Sequence, residues 1–288
     1  MRRPAPERLA DISHPGPRCT DRRPYRLCNA EKISVVLPSG IPFLESIANW
    51  IEPAGYDSAV LDLAGLTLAP FEYVMPDRAI DDRHAAWYSD TKHSVGTVLS
   101  EAVAIVGQRD GHWFAHIHAY WTENGGDHLG HLLPDTLIVG EESQITGFGI
   151  SGAMFVARPD PETEFTLFRV AGSREEARNA RFNALITTLA PFEDLSTSIQ
   201  GLGQTLGAAS VKVAGLGSLA GAQFGDAQPM RGLVSEILLQ KGCSVDAGGG
   251  MNLPVRCVDL NGQLHAGHLQ AGAAPTLITC ELLLIADR

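Results

Sequence analysis

The stretch Ala115-His116-Ile117-His118-Ala119-Tyr120-Trp121, followed by Gly130-His131-Leu132, decides how the rest of the chain is read. Five of the ten histidines fall between His112 and His131. In an extended strand, residues two apart face the same side at about 7 Å. His116 and His118 therefore present two imidazoles together. The turn Glu123-Asn124-Gly125-Gly126 can bring His131 back to meet them. Two imidazoles on one strand and a third on the next supply three protein ligands to zinc, or to another divalent metal, with one coordination position open. The plainer alternative is a half-exposed strand whose histidines hydrogen-bond to their neighbours.

At 288 residues with 44% apolar and 19% charged side chains, the chain is long enough for one large or two medium domains with a real core. No apolar run approaches the eighteen or so residues of a membrane helix. Met1-Arg2-Arg3-Pro4 lacks the apolar core of a signal peptide. Cys19, Cys28, Cys243, Cys257 and Cys280 are odd in number and lack metal-type spacing. They read as reduced thiols, and the expected location is cytoplasmic.

The net charge of −11 is unevenly spread. Residues 1–28 carry seven arginines against Glu7, Asp11 and Asp21, a net of +4, which leaves −15 for the remainder. A body that acidic repels phosphate, so any DNA contact would fall to the basic arm. Within the arm, His14-Pro15-Gly16-Pro17-Arg18 is stiffened by its prolines. It would suit a segment that packs across a site and lends it an imidazole and an anion-binding guanidinium, which makes His14 and Arg18 candidate substrate-binding residues.

Beyond the arm the pattern is strand, helix, then several strands. Ile33–Leu37 is β-branched. Phe43, Leu44, Ile47 and Ile51 mark one helix face, and Pro53-Ala54-Gly55 stops that helix. Strands are expected over 58–68, 101–106, 115–121, 136–139, 148–157 and 165–170, mostly antiparallel. The polar stretch Ala79–His93, with Trp87 and Tyr88, reads as a loop.

After a charged linker the pattern begins again. Leu37, Ile47 and Gly55 recur as Leu189, Ile199 and Gly207; Ser100-Glu101 and Gly107 as Ser235-Glu236 and Gly242; Gly130-His131-Leu132 as Gly267-His268-Leu269. Three coincidences in one order point to an internal duplication. The second helix carries Leu195, Ile199, Leu202 and Leu206. The expected organisation is a basic arm (1–29), a first domain (30–172), a linker (173–180) and a second domain (181–288). The second copy has Leu253 and Val255 where the first has His116 and His118. Cys257 and His268 remain as a pair, and two ligands seldom hold zinc.

A strand with His-x-His, a turn, Gly-His-Leu and Glu141 ten residues after the last histidine resembles the plant-and-prokaryote conserved (PPC) domain. The second half, with Leu189-Ala190-Pro191-Phe192-Glu193-Asp194-Leu195, Gly217-Ser218-Leu219, Gly267-His268-Leu269 and Cys280-Glu281, resembles the same domain. The resemblance implies an α+β fold, two homologous PPC-like domains each with a mostly antiparallel sheet flanked by helices. It also implies a homo-oligomer, a trimer in bacterial members, and a metal on His116, His118 and His131. Plant members carry AT-hooks and a DNA role, but this chain has no hook.

Two function classes follow. One is a metal-dependent hydrolase or lyase, or a binder of a small anionic molecule, with Glu141 or Glu101 as candidate base. Glu141 also suits a group that orients a ligand histidine, and Glu101, repeated as Glu236 in the copy without the site, suits a structural role. The other class is a DNA-associated regulatory module, which the acidic body disfavours.

Overall fold

The structure is a computed structural model that describes residues 2–172 and 182–287. The linker 173–180 lies outside the described residues.

The first half opens with strand β1 (Tyr25–Leu37), helix α1 (Phe43–Ala54), β2 (Ser58–Asp62) and β3 (Phe71–Val74). Then come β4 (Glu101–Arg109), β5 (His112–Glu123), β6 (Gly126–Leu132), β7 (Ser143–Ser151), β8 (Ala153–Pro159) and β9 (Thr166–Gly172). The second half holds β10 (Ala184–Leu189), α2 (Leu195–Thr205), β11 (Ser210–Leu219), β12 (Ser235–Leu239), β13 (Pro254–Asp259), β14 (Leu264–His268) and β15 (Thr276–Asp287). The class is α+β, nearly all antiparallel, with two α-helices among the described residues.

The two halves have one strand order. In the first, neighbours run β1-β7-β2-β4-β5-β6. In the second they run β10-β15-β11-β12-β13-β14. Strand β1 belongs to both. Its residues 29–37 pair with β7, and Tyr25–Cys28 pair with β10. The expected boundary at residue 29 therefore falls inside a strand, because the last residues of the arm are extended and find an open edge on the second sheet.

Strand alternation sorts the side chains into layers. In β5, Ala115, Ile117, Ala119 and Trp121 meet Phe43, Ile47 and Ile51 of α1. Each buried side chain of this size contributes roughly 1.5–3 kcal/mol. In the second half, Leu195, Ile199 and Leu202 of α2 meet Val255, Cys257 and Leu282. The opposite faces meet each other, with Val103, Ile105, Leu129 and Ile150 packed among Leu216, Leu238, Val258 and Leu283. The layers run helix, sheet, sheet, helix, and His116 and His118 have the alternation of the inter-sheet layer.

Several expected segments are divided. The 58–68 strand breaks after Asp62, and 136–139 begins at the last residue of a 3-10 turn (Pro134–Thr136) and has only isolated bridges at Ile138 and Val139. The 148–157 strand turns at Gly152, whose φ of +92° suits glycine. The 79–93 loop carries a small pairing of Pro76-Asp77 with Trp87-Tyr88.

Candidate metal centre

Register brings the three histidines together. His118 lies directly across the β5–β6 ladder from His131, and His116 is two residues along the same face. Gly130 makes room for this. A Cβ there would meet Tyr73 at 2.8 Å and the Val74 carbonyl at 3.0 Å, so only glycine lets β3 close against β6. The ring centroids lie 4.7 Å apart for His116–His118, 4.7 Å for His116–His131 and 5.5 Å for His118–His131.

The second sheet contributes two carboxylates. Glu236 on β12 and Glu281 on β15 have the same alternation as Leu238 and Leu283, so they point between the sheets. Glu236 is 7% exposed and Glu281 1%. One ligand atom from each of His116, His118, His131 and Glu236 lies within 4.8 Å of all the others.

Tautomers follow from the partners. Nδ1 of His118 lies 2.7 Å from the Ile237 carbonyl, which can only accept, so this nitrogen carries the hydrogen. Nδ1 of His116 lies 2.7 Å from Glu281 Oε2 and likewise donates. Both Nε2 atoms then face inward, 3.0 Å apart, with Glu236 in contact with His118 Nε2. Two ligand nitrogens about 2.1 Å from one zinc ion stand about 3.4 Å apart in a tetrahedron. Lone pairs converging this closely, beside a buried carboxylate, need a proton or a cation between them.

The electrostatics agree. Burial lowers the His116 pKa, but the charge and hydrogen bond of Glu281, with the charge of Glu236, outweigh it and leave a net rise. His131 is held well below the usual histidine range by burial and by the charges on His116 and His118. Its neutral form is favoured, whereas the raised His116 pKa favours a proton there that a bound metal would displace. Nδ1 of His131 is 3.1 Å from the Tyr88 hydroxyl. Tyr88 is 39% exposed as a whole, but its hydroxyl reaches into the site, and burial followed by the charges of Glu236 and Glu281 raises its pKa well above 10. The phenol therefore stays protonated.

A pocket of about 120 Å3 opens beside the cluster. His116, Glu236 and Tyr88 form one end, and Trp87, Phe165 and Leu277 are among its apolar walls.

The other expected residues lie elsewhere. Glu141 is exposed in the turn before β7, outside the cluster, and the carboxylates beside the histidines are Glu236 and Glu281. Glu101 grips Arg256 at 2.7 Å and Gln240 at 2.9 Å, an ion pair between the sheets. The arm does pack across the second half, with Ile12 against Leu277 and Ala86. His14 rests on Phe192 at 5.5 Å, however, and Arg18 reaches Glu193 at 3.9 Å. Neither is among the residues lining the pocket. His268 bonds Asp226 at 2.6 Å while Cys257 lies in the core under α2, so these two do not form a pair. His268 faces Pro254 across its ladder, where His131 faces His118. All five cysteines are free.

No family model and no curated protein matches the sequence. About half of the chain is similar to solved structures. A metal-containing protein from Archaeoglobus fulgidus is 16% identical, with 50% of this chain and 96% of that one covered at a TM-score of 0.39. A PPC protein from Pyrococcus horikoshii is 17% identical, with 50% and 94% covered at 0.35. A structure described as a putative DNA-binding protein from Ralstonia eutropha is 18% identical, with 47% and 88% covered at 0.37. Fold and site together define an α+β protein with a histidine and glutamate centre between two sheets. Among the described residues, no helix is long and apolar enough to cross a membrane.

Proposed function

We propose that the chain is a metalloprotein whose divalent ion, of the zinc type, is held by His116, His118 and His131 of the first half, with Glu236 of the second beside the open fourth position. It serves the adjacent pocket as a metal-dependent hydrolase or lyase, or as a small-molecule binder. The observation that carries this reading is the fixed tautomer of His118. With its Nδ1 committed to Ile237, its Nε2 lone pair is directed at the same point as those of its neighbours. The charge balance supports it. The buried Glu236 and Glu281 side chains contact His118 and His116, and a divalent cation would neutralise both carboxylates. Glu281 fits the carboxylate–histidine–metal arrangement that orients a ligand ring. A zinc ion so held polarises a carbonyl or lowers the pKa of bound water. Tyr88 supplies a hydroxyl beside His131 for proton donation.

The shared strand order supports a tandem duplication in which the second copy has no histidine pair and instead contributes the acidic wall. Assembly into a homo-oligomer, a trimer by resemblance to bacterial PPC proteins, belongs to the same reading.

The alternative, a DNA-associated module, is favoured by the description of the Ralstonia structure. Against it, Arg2, Arg8, Arg18, Arg22 and Arg23, five of the arm's seven arginines, pair with acids of this chain. Metal analysis of untagged protein is the deciding experiment. About one equivalent of metal, lost in His118→Ala, is expected. A metal-free wild type that binds random duplex DNA with a steep salt dependence would favour the alternative.

A further inference from the structure

The pocket beside the cluster has a roof, and the basic arm crosses it. Pro76-Asp77 pairs with Trp87-Tyr88, and Pro76, Ala86, Trp87 and Tyr88 line the pocket from that side. Ser89 closes the pairing. Its amide donates to the Met75 carbonyl at 2.8 Å, and its Oγ accepts from the Met75 amide at 3.0 Å. Beneath the roof, the Tyr88 hydroxyl stands 3.1 Å from His131 Nδ1. A molecule or ion that enters past Tyr88 needs this roof to lift.

The arm is held in two different ways along its length. Its root is packed. Ile12 is buried in one apolar cluster with Leu277 and Ala86. Gly16 passes so close to the 160–164 turn that a Cβ there would lie 1.7 Å from the Pro161 carbonyl oxygen. Arg22, largely buried, joins Glu162 to Glu193. The tip, residues 2–11, has no buried residue. A cavity of about 300 Å3 lies between Pro4, Pro6 and Glu7 on the tip and Arg78, Ala79 and Ala85 on the roof. Polar groups span that gap. The Arg3 amide donates to the Ala79 carbonyl at 2.8 Å. Arg2 clips the two limbs of the roof together. Its Nη1 donates to the carbonyls of Arg78 and Tyr88 at 3.1 and 3.0 Å, and its guanidinium pairs with Asp77 at 3.2 Å and Asp90 at 3.5 Å. A segment held by exposed polar contacts, with little apolar burial, opens at far lower cost than the core.

We propose that residues 2–11 are a releasable latch. Arg2 and Arg3 hold the Pro76–Tyr88 roof shut, and entry to the pocket and the histidine cluster runs through their release while the root stays docked. The roof keeps a second hold, since Trp87 and His84 rest on Phe165 at 5.3 and 5.2 Å, so release loosens it without unfolding it. The latch itself stands on geometry alone, and the passage of an ion to the cluster rests on the metal reading above.

Full-length Arg2→Ala is compared with wild type by hydrogen–deuterium exchange, read by mass spectrometry over residues 74–90. Exchange at Ser89 and its neighbours is expected to quicken about five-fold or more, with residues 101–132 unchanged. Arg18→Ala removes an arm charge that pairs with Glu193 and not with the roof, and is expected to match wild type. Equal exchange of 74–90 in wild type and Arg2→Ala overturns the latch, and so does faster exchange throughout the chain. The second readout is the rate at which excess chelator strips zinc from the loaded protein, expected to rise roughly three- to ten-fold in Arg2→Ala. Faster exchange with an unchanged stripping rate overturns entry through the roof. Protein that holds no zinc overturns the metal reading, and the exchange result then decides the latch by itself.

Discussion

At the residue scale, the three histidines were legible because they are local. Two share a strand face and the third lies one hairpin away, so period and turn chemistry sufficed. Glu236 and Glu281 were not legible as site residues, since they reach the cluster only when the second sheet packs on the first. Their signal was a carboxylate inside a buried run, Glu236 within Ser235–Leu239 and Glu281 in the interior of Thr276–Asp287. A charge is rarely buried without a partner. The site predicts that Glu281→Gln, which loses the charge that His116 Nδ1–H meets, weakens metal affinity about 10–100-fold, measured by chelator competition. Glu141→Ala, at an exposed position, should leave affinity unchanged and stability within about 0.5 kcal/mol. A large loss of affinity in Glu141→Ala would restore the role its spacing suggested.

At the element scale, both helices and the histidine hairpin followed from periodicity, whereas the 79–93 loop did not. A two-residue pairing has no periodic signature, so Pro76-Asp77 and Trp87-Tyr88 left no strand signal. In the fold that pairing roofs the pocket, and Arg2 pins it by reaching the carbonyls of Arg78 and Tyr88 at 3.1 and 3.0 Å and Asp77 at 3.2 Å. The sequence cue from Glu101 had a similar outcome. Its repetition at Glu236 suggested one shared role, but Glu101 bridges to Arg256 while Glu236 faces His118. Glu101→Ala leaves Arg256 half-buried without its partner and should cost about 1–3 kcal/mol in urea unfolding, with metal content intact. Metal lost along with stability would show that the ion pair also shapes the site.

At the scale of the whole molecule, the doubled pattern was legible from Leu37 and Leu189 onward, but the way the halves join was not. Composition carries no record of β1 pairing with two sheets, or of a core shared by Val103, Ile105, Leu238 and Leu283. With that shared core and a metal site drawing on both halves, unfolding should be one cooperative transition, raised in temperature by zinc. Two calorimetric transitions, only one of them metal-sensitive, would mean that the halves are independent. The most direct test of the central claim is anomalous scattering at the zinc absorption edge from crystals of untagged protein. The account predicts one peak per chain, within bonding distance of His116, His118 and His131 and beside Glu236. A refined cluster with no peak, its imidazoles joined only by protons, would contradict it.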